Sequence, residues 1–196
     1  MKPTNKLITV LIAISLALIF SSCDNIDDEV INKAAALEDC SSQNQQEGID
    51  CDFSTTLTEA EKANLMHMRE EEKLARDVYN KFYESYNIPV FRNIAMSEQR
   101  HMDAILSLLT GYGLTDPVAG KGPGEFTPAF QTLYDELTAK GTNLTEALKV
   151  GVEIEELDID DLEKAINATE VPNLLRVFNN LLAGSRNHLA AFSSKL

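Results

Sequence analysis

Positive charge is scarce in this chain. Its lysines and arginines number 17 against 31 aspartates and glutamates, a formal charge of −14. That balance excludes nucleic acid as a partner and excludes electrostatic adhesion to anionic membrane surfaces, since both need clustered cations. Cysteine is also sparse. The three present, Cys23, Cys40 and Cys51, form neither a CxxC nor a zinc-ligand spacing. No alternation of apolar and polar residues runs long enough to make a strand, which excludes a β-sheet class. Long hydrophobic runs are missing too, with one exception at the start, Leu7 to Phe20.

That run follows Lys2 and Lys6 and is shorter than the roughly 20 apolar residues a membrane span needs. A signal sequence over 1–22 is therefore expected. It ends in Phe20-Ser21-Ser22-Cys23, which resembles the lipobox of bacterial lipoproteins, so Cys23 is the expected lipidated N-terminus of an exported, membrane-anchored protein of the cell envelope. Removing 1–22 takes away two lysines and no acids, moving the charge from −14 to about −16. In an oxidising exported setting, Cys40 and Cys51 are expected to close a disulfide loop. Residues 23–56 are acidic and polar around Ser41 to Gln46 and read as a flexible tether.

From residue 57 to 196 the pattern becomes helical. Thr58 with Glu61 is a capping-box pair, and apolar residues recur at helical spacing from Leu65 to Tyr86 until Pro89. A second helix is expected from about Val90 to Thr110, stopped by Gly111 and Gly113. The stretch Gly120 to Gly124 can only be loop. A short helix over about 128–139 precedes two more long ones, at about 144–168 and 172–193. The expected class is all-α, a four-helix bundle whose long connection between its second and third long helices permits a crossover.

The chemistry lies in polar residues that fall on the wrong face. Stepping about 100° per residue, Glu72 lands in the apolar stripe of Leu65, Met68, Ala75, Tyr79 and Phe82, with Glu70 facing away and Glu71 at the edge. On the second helix Glu98 and His101 both join the stripe of Ile94, Ile105 and Leu108, one turn apart. On the third, Glu155 sits at the centre of the apolar set with Asp158 on its flank, whereas Glu153 and Glu156 share the solvated face. On the fourth, Ser185 and His188 turn inward, and His67 on the first helix turns outward. A buried carboxylate needs a proton or a cation, and the inward stripes offer few cations, Arg76 being the obvious one. A Glu-x-x-His pair on one helix is the spacing a dinuclear carboxylate site uses. Glu72, Glu98, His101, Glu155 and His188 are the expected metal ligands, with Asp158 held in reserve because Ser185 occupies the place of a second acid.

Segments 72–79, 97–101, 154–159 and 184–188 resemble the signature helices of the ferritin-like domain-of-unknown-function family numbered 2202. More distantly, Glu72, Ala75, Arg76 and Tyr79 are similar to a pattern in the first helix of rubrerythrins. The resemblance implies a ferritin-like four-helix bundle with two divalent metal ions, iron first and manganese second, held directly by Glu72, Glu98, His101, Glu155 and His188. The rubrerythrin parallel implies peroxide reduction, and paired metals make an oxidoreductase acting on peroxide or oxygen the leading expectation, with electrons from an unknown donor because the rubredoxin-like CxxC module is absent. The rival expectation is a non-catalytic metal-binding or structural lipoprotein; a homodimer fits either. A third reading is a metal-free bundle whose inward acids pair with Arg76, Arg100 or Arg186.

Overall fold

The computed structural model describes residues 52–196. The expected signal segment, Cys23, the Cys40–Cys51 pair and nearly all of the tether lie outside the described residues. Within them the structure is all-α, with five helices and no strand. They are α1 (Glu59–Tyr86), α2 (Pro89–Gly111), α3 (Pro128–Lys140), α4 (Leu144–Asn167) and α5 (Pro172–Ser193). No described helix is long and apolar enough to cross a membrane.

The helix ends follow from local chemistry. Thr58 caps α1 by accepting from the Glu61 N–H at 3.2 Å, while the Glu61 carboxylate accepts from the Thr58 N–H at 2.8 Å. Asn87 closes α1 in the left-handed conformation, with φ of 53°. Pro89 does more than block continuation of α1: it is an opening residue of α2, where its missing N–H costs nothing. Only Asn87 and Ile88 therefore separate the two helices, which forces them antiparallel and side by side.

The packing forms a closed square. Helix α1 lies along α2, and α4 lies along α5; α1 also touches α4, and α2 touches α5, while across the diagonals only side chains meet, as Tyr79 does Phe192 at 5.0 Å. The chain thus leaves the end of α2 and crosses to the diagonally opposite position for α4. The covering of this crossover is not passive: α3 packs on the outer side of α1 and α4. Packing also reaches into the segment expected to be tether. Phe53 sets its ring edge-on to Tyr112 at 4.9 Å, and the Asn173 side chain donates to the Asp52 carbonyl at 2.8 Å. Gly111 makes room for that ring, since a Cβ there would lie 2.4 Å from it.

The core is two apolar clusters rather than one. The first gathers Leu65, Met68, Ile105, Leu108, Leu162, Leu174, Phe178 and Leu181. The second gathers Leu74, Tyr79, Phe82, Phe91, Ile94, Leu148, Ile154 and Phe192. Along every long helix, the residues between the clusters include the inward polar ones: 72 on α1, 98 and 101 on α2, 155 and 158 on α4, 185 and 188 on α5. A polar layer is therefore sandwiched between two dry plugs.

Candidate metal centre

Each long helix supplies this layer with one or two side chains because residues three apart share a face. Glu72 comes from α1, Glu98 and His101 from α2, Glu155 and Asp158 from α4, and Ser185 and His188 from α5; none is more than 5% exposed. The five expected ligands meet in two overlapping groups, Glu72–Glu98–His101 and Glu98–Glu155–His188. Glu98 belongs to both. Its Oε2 lies 2.8 Å from His101 Nδ1 and its Oε1 lies 2.9 Å from His188 Nδ1. Glu72 Oε2 stands 3.1 Å from His101 Nδ1, and Glu155 Oε2 stands 3.5 Å from His188 Nδ1. The two imidazoles stack, with centroids 5.4 Å apart and planes 27° apart.

The surrounding residues orient this set. Tyr79 donates its hydroxyl to Glu155 Oε1 at 2.6 Å, fixing that carboxylate so that Oε2 faces His188. Ser185, where a second acid was looked for, donates to Asp158, which brings the reserve carboxylate of α4 into the layer from the α5 side. Gly184 is required by contact: a Cβ there would stand 2.6 Å from His101 Nε2. The ring can therefore turn Nδ1 toward the acids only because α5 has no side chain at that point.

Electrostatics distinguish the acids. Burial raises the Glu72 carboxyl to about 8, although the His101 charge opposes it. Burial and the Glu98 charge raise Glu155 to about 7. Asp158 is pushed well above the usual range by burial, then by Glu72 and Glu155. Burial works against ionised Glu98 as well, but there His188 and His101 outweigh it and hold the carboxyl well below the usual range. In turn burial would lower both imidazoles, yet Glu98 and Glu155 raise His188 to about 10, and Glu72 and Glu98 raise His101 well above its ordinary value. All of these shifts but that of Glu98 favour the protonated form when no metal is bound.

No lysine or arginine among the described residues pairs with Glu72, Glu98, Glu155 or Asp158. Arg76 turns instead to Asp77 and Gln99, Arg186 pairs with Glu163 at the surface, and Arg100 pairs with no carboxylate. Several site atoms are also left over: Glu72 Oε1, Glu98 Oε1, Asp158 Oδ1 and His188 Nδ1 are buried without a hydrogen bond. The close Glu98–His188 approach is among them, since its angles are wrong for hydrogen bonding. An unsatisfied buried polar atom costs about 1–3 kcal/mol, more if charged. Ligand atoms sharing one ion at about 2.1 Å stand about 3.0–3.4 Å apart, and the carboxylate–imidazole distances of 2.8–3.5 Å bracket that range. The residues fit a pair of divalent ions. Four carboxylates, Glu72, Glu98, Glu155 and Asp158, also match the charge of two such ions.

The family model described as "Uncharacterized protein domain (DUF2202)" matches residues 61–196. The chain belongs to the DUF2202 family. It is 51% identical over 138 residues to uncharacterized protein MJ0754 of Methanocaldococcus jannaschii, covering 69% of this chain and 75% of that protein. The crystal structure of hypothetical protein MJ0754 superposes with a TM-score of 0.71 at 47% identity, over 74% of this chain and 83% of that one. A DUF305 fragment from Deinococcus radiodurans shares the fold alone, with a TM-score of 0.54 at 14% identity over 71% and 97% of the two chains.

Not every buried acid was expected. Glu70, placed on the outward face by periodicity, is only 4% exposed because the crossover segment lies over it and Thr127 donates to its carboxylate at 2.6 Å. Glu71, placed at the stripe's edge, is 2% exposed. Lys73 and Asp77 are buried against each other at 2.6 Å beneath the same segment, where Lys73 also donates to the Gly122 carbonyl. The clue lay in a charge-rich outward face opposite a long Gly- and Pro-containing connection, but its path is not readable from local pattern. Glu153 and Glu156 are solvent-exposed, in keeping with their assignment to the surface.

Proposed function

We propose that this DUF2202 protein is a ferritin-like four-helix bundle that holds two divalent ions, iron or manganese, and uses them in reduction of peroxide or dioxygen. The observation carrying this reading is Glu98, which offers one carboxylate oxygen to each of two stacked histidines at 2.8 and 2.9 Å. A bridging carboxylate needs that two-sided placement. The crossover from α2 to the diagonal position supports the ferritin-like assignment. On the lipobox reading, Cys23 would tether the protein to a membrane of the cell envelope.

Two such ions would supply two electrons, one each, for breaking an O–O bond. Glu98 would bridge, His101 and Glu72 would complete one half, and His188 and Glu155 the other. Carboxylates with imidazole suit iron or manganese. Tyr79 holds Glu155 in place, while the apolar clusters on either side keep bulk water from the layer. The sequence has no rubredoxin-like CxxC spacing, so in this reading an external donor delivers the electrons.

The near-complete burial of all ligands favours one alternative, a closed and non-catalytic metal site. Metal analysis of chelator-free protein, followed by peroxide consumption by the reduced, loaded form, separates the readings. At least two equivalents with turnover supports the enzyme; at least two equivalents without turnover across several donors supports the structural site. Less than one equivalent of any transition metal overturns both.

A further inference from the structure

A second histidine–carboxylate group lies outside the buried layer, on the seam where α1 meets α4. His67 was read as a surface residue, and its side chain is indeed 47% exposed. Its ring, however, does not simply face water. His67 Nε2 lies 3.3 Å from Asp161 Oδ2 and 3.6 Å from Glu71 Oε2, and the three ligand atoms fall within 4.8 Å of one another.

Glu71 is what makes this more than an acidic patch. Its side chain is 3% exposed, and its Oε2, the oxygen aimed at His67, is buried with no hydrogen-bond partner. The 3.6 Å separation is too long for a hydrogen bond from the imidazole. It is close to the spacing of two ligand atoms around a common ion, about 3.0–3.4 Å for bonds of about 2.1 Å. On Asp161, Lys164 takes Oδ1 at 2.8 Å and His67 Nε2 hydrogen-bonds Oδ2 at 3.3 Å, the one contact that an ion between ring and carboxylate would replace. The half-exposed contact with His67 is too weak to offset a buried carboxylate oxygen that has no hydrogen-bond partner.

We propose that His67, Glu71 and Asp161 form a third divalent-cation site, separate from the buried pair and open to solvent through His67. One imidazole with two carboxylates selects a first-row transition ion, such as zinc, manganese or ferrous iron, over magnesium or calcium. The site draws its three ligands from α1 and α4 alone and shares none of them with the buried pair.

The test is anomalous diffraction from crystals of the protein equilibrated with Zn²⁺, paired with calorimetric Zn²⁺ titration of wild type and His67→Ala. The expected result is a zinc peak between His67 Nε2, Glu71 and Asp161 Oδ2, and loss of one zinc equivalent per chain in His67→Ala. Because His67 is half-exposed, that variant is expected to keep the wild-type melting temperature of the metal-free protein. Asp161→Asn, which preserves shape, is expected to lose the same equivalent. Zinc in the buried layer with none at His67, or unchanged stoichiometry in both variants, overturns this inference and leaves the proposed function standing. Zinc at His67 with none in the buried layer does the reverse.

Discussion

Helix α1 buries acids in two ways, and the two differ in what answers the negative charge. On its outer face, Asp77 is buried but fully answered: Lys73 lies 2.6 Å away, Arg76 2.7 Å, and the Gly124 N–H donates at 2.9 Å. Five residues earlier and turned inward, Glu72 is equally buried, yet among the described residues its only partner is a histidine, and Oε1 has none. Burial alone therefore does not mark a functional carboxylate. What sets the inner acids apart is a buried oxygen, on Glu72, Glu98 and Asp158, with neither a lysine or arginine nor a hydrogen-bond donor among the described residues, whereas the outer Glu70 is answered by Thr127. The outer acids tie the crossover segment down, while the inner ones meet no lysine or arginine among the described residues, which supports the proposed metal site.

That contrast can be broken most forcefully at its shared residue. Glu98→Ala is expected to abolish binding of both ions, because both ligand groups contain Glu98, while Glu155→Ala is expected to spare part of the binding. Metal analysis after dialysis checks this, and two ions retained in Glu98→Ala would remove the bridging role. Asp77→Ala should instead leave stoichiometry unchanged and lower stability by about 3–5 kcal/mol, since it strands Lys73 without its charge partner. Urea denaturation measures it. A loss below about 1 kcal/mol would show the outer pair to be less buried in solution than its geometry requires.

The two forms of the protein should also respond to pH with opposite slopes. In the metal-free form, Glu72 has its carboxyl raised from 4.5 to about 8 and Glu155 to about 7. Their stabilising contribution is present in full below pH 4.5 and is lost as pH rises through those values, at up to about 1.4 kcal/mol per pH unit for each group. His188, raised to about 10, acts in the same direction between pH 6.5 and 10. Chelated protein should therefore be more stable at pH 5 than at pH 8. Metal affinity should instead rise over that range, because binding displaces those protons. Melting temperatures with and without chelator test the crossing, and parallel slopes would argue against proton-for-metal exchange.

Smaller effects sharpen the picture. Tyr79→Phe frees Glu155 Oε1 and is expected to weaken metal binding about tenfold with little change in the metal-free melt. Thr58→Ala, which removes a cap far from the layer, should cost about 1 kcal/mol equally in both forms and so serves as the reference for effects unrelated to metal.

The helices and the inward set were largely legible because both depend on short-range periodicity. Glu98 and His101 three apart, or Glu155 amid Leu148, Val152, Ile159 and Leu162, declare a shared face whatever the remaining fold does. Capping at Thr58, the turn at Asn87 and proline at the starts of α2 and α5 are likewise local. The burial of Glu70, Lys73 and Asp77 was not legible, because it depends on where a sixteen-residue connection, 112–127, lies after leaving α2. Nor was the grouping of His67 with Asp161, which stand 94 positions apart and meet only because α1 packs against α4.

By itself, then, the sequence determined the helices, their faces and the excess of inward negative charge over inward positive charge, since each follows from residue type and a 3.6-residue period. Only the tertiary structure decided which atoms face one another. It turned Glu98 to two histidines at once, let Ser185 hold Asp158, and used the bare Gly184 to set the His101 ring. Those choices depend on the rotation and spacing of packed helices, which no single helix's pattern contains.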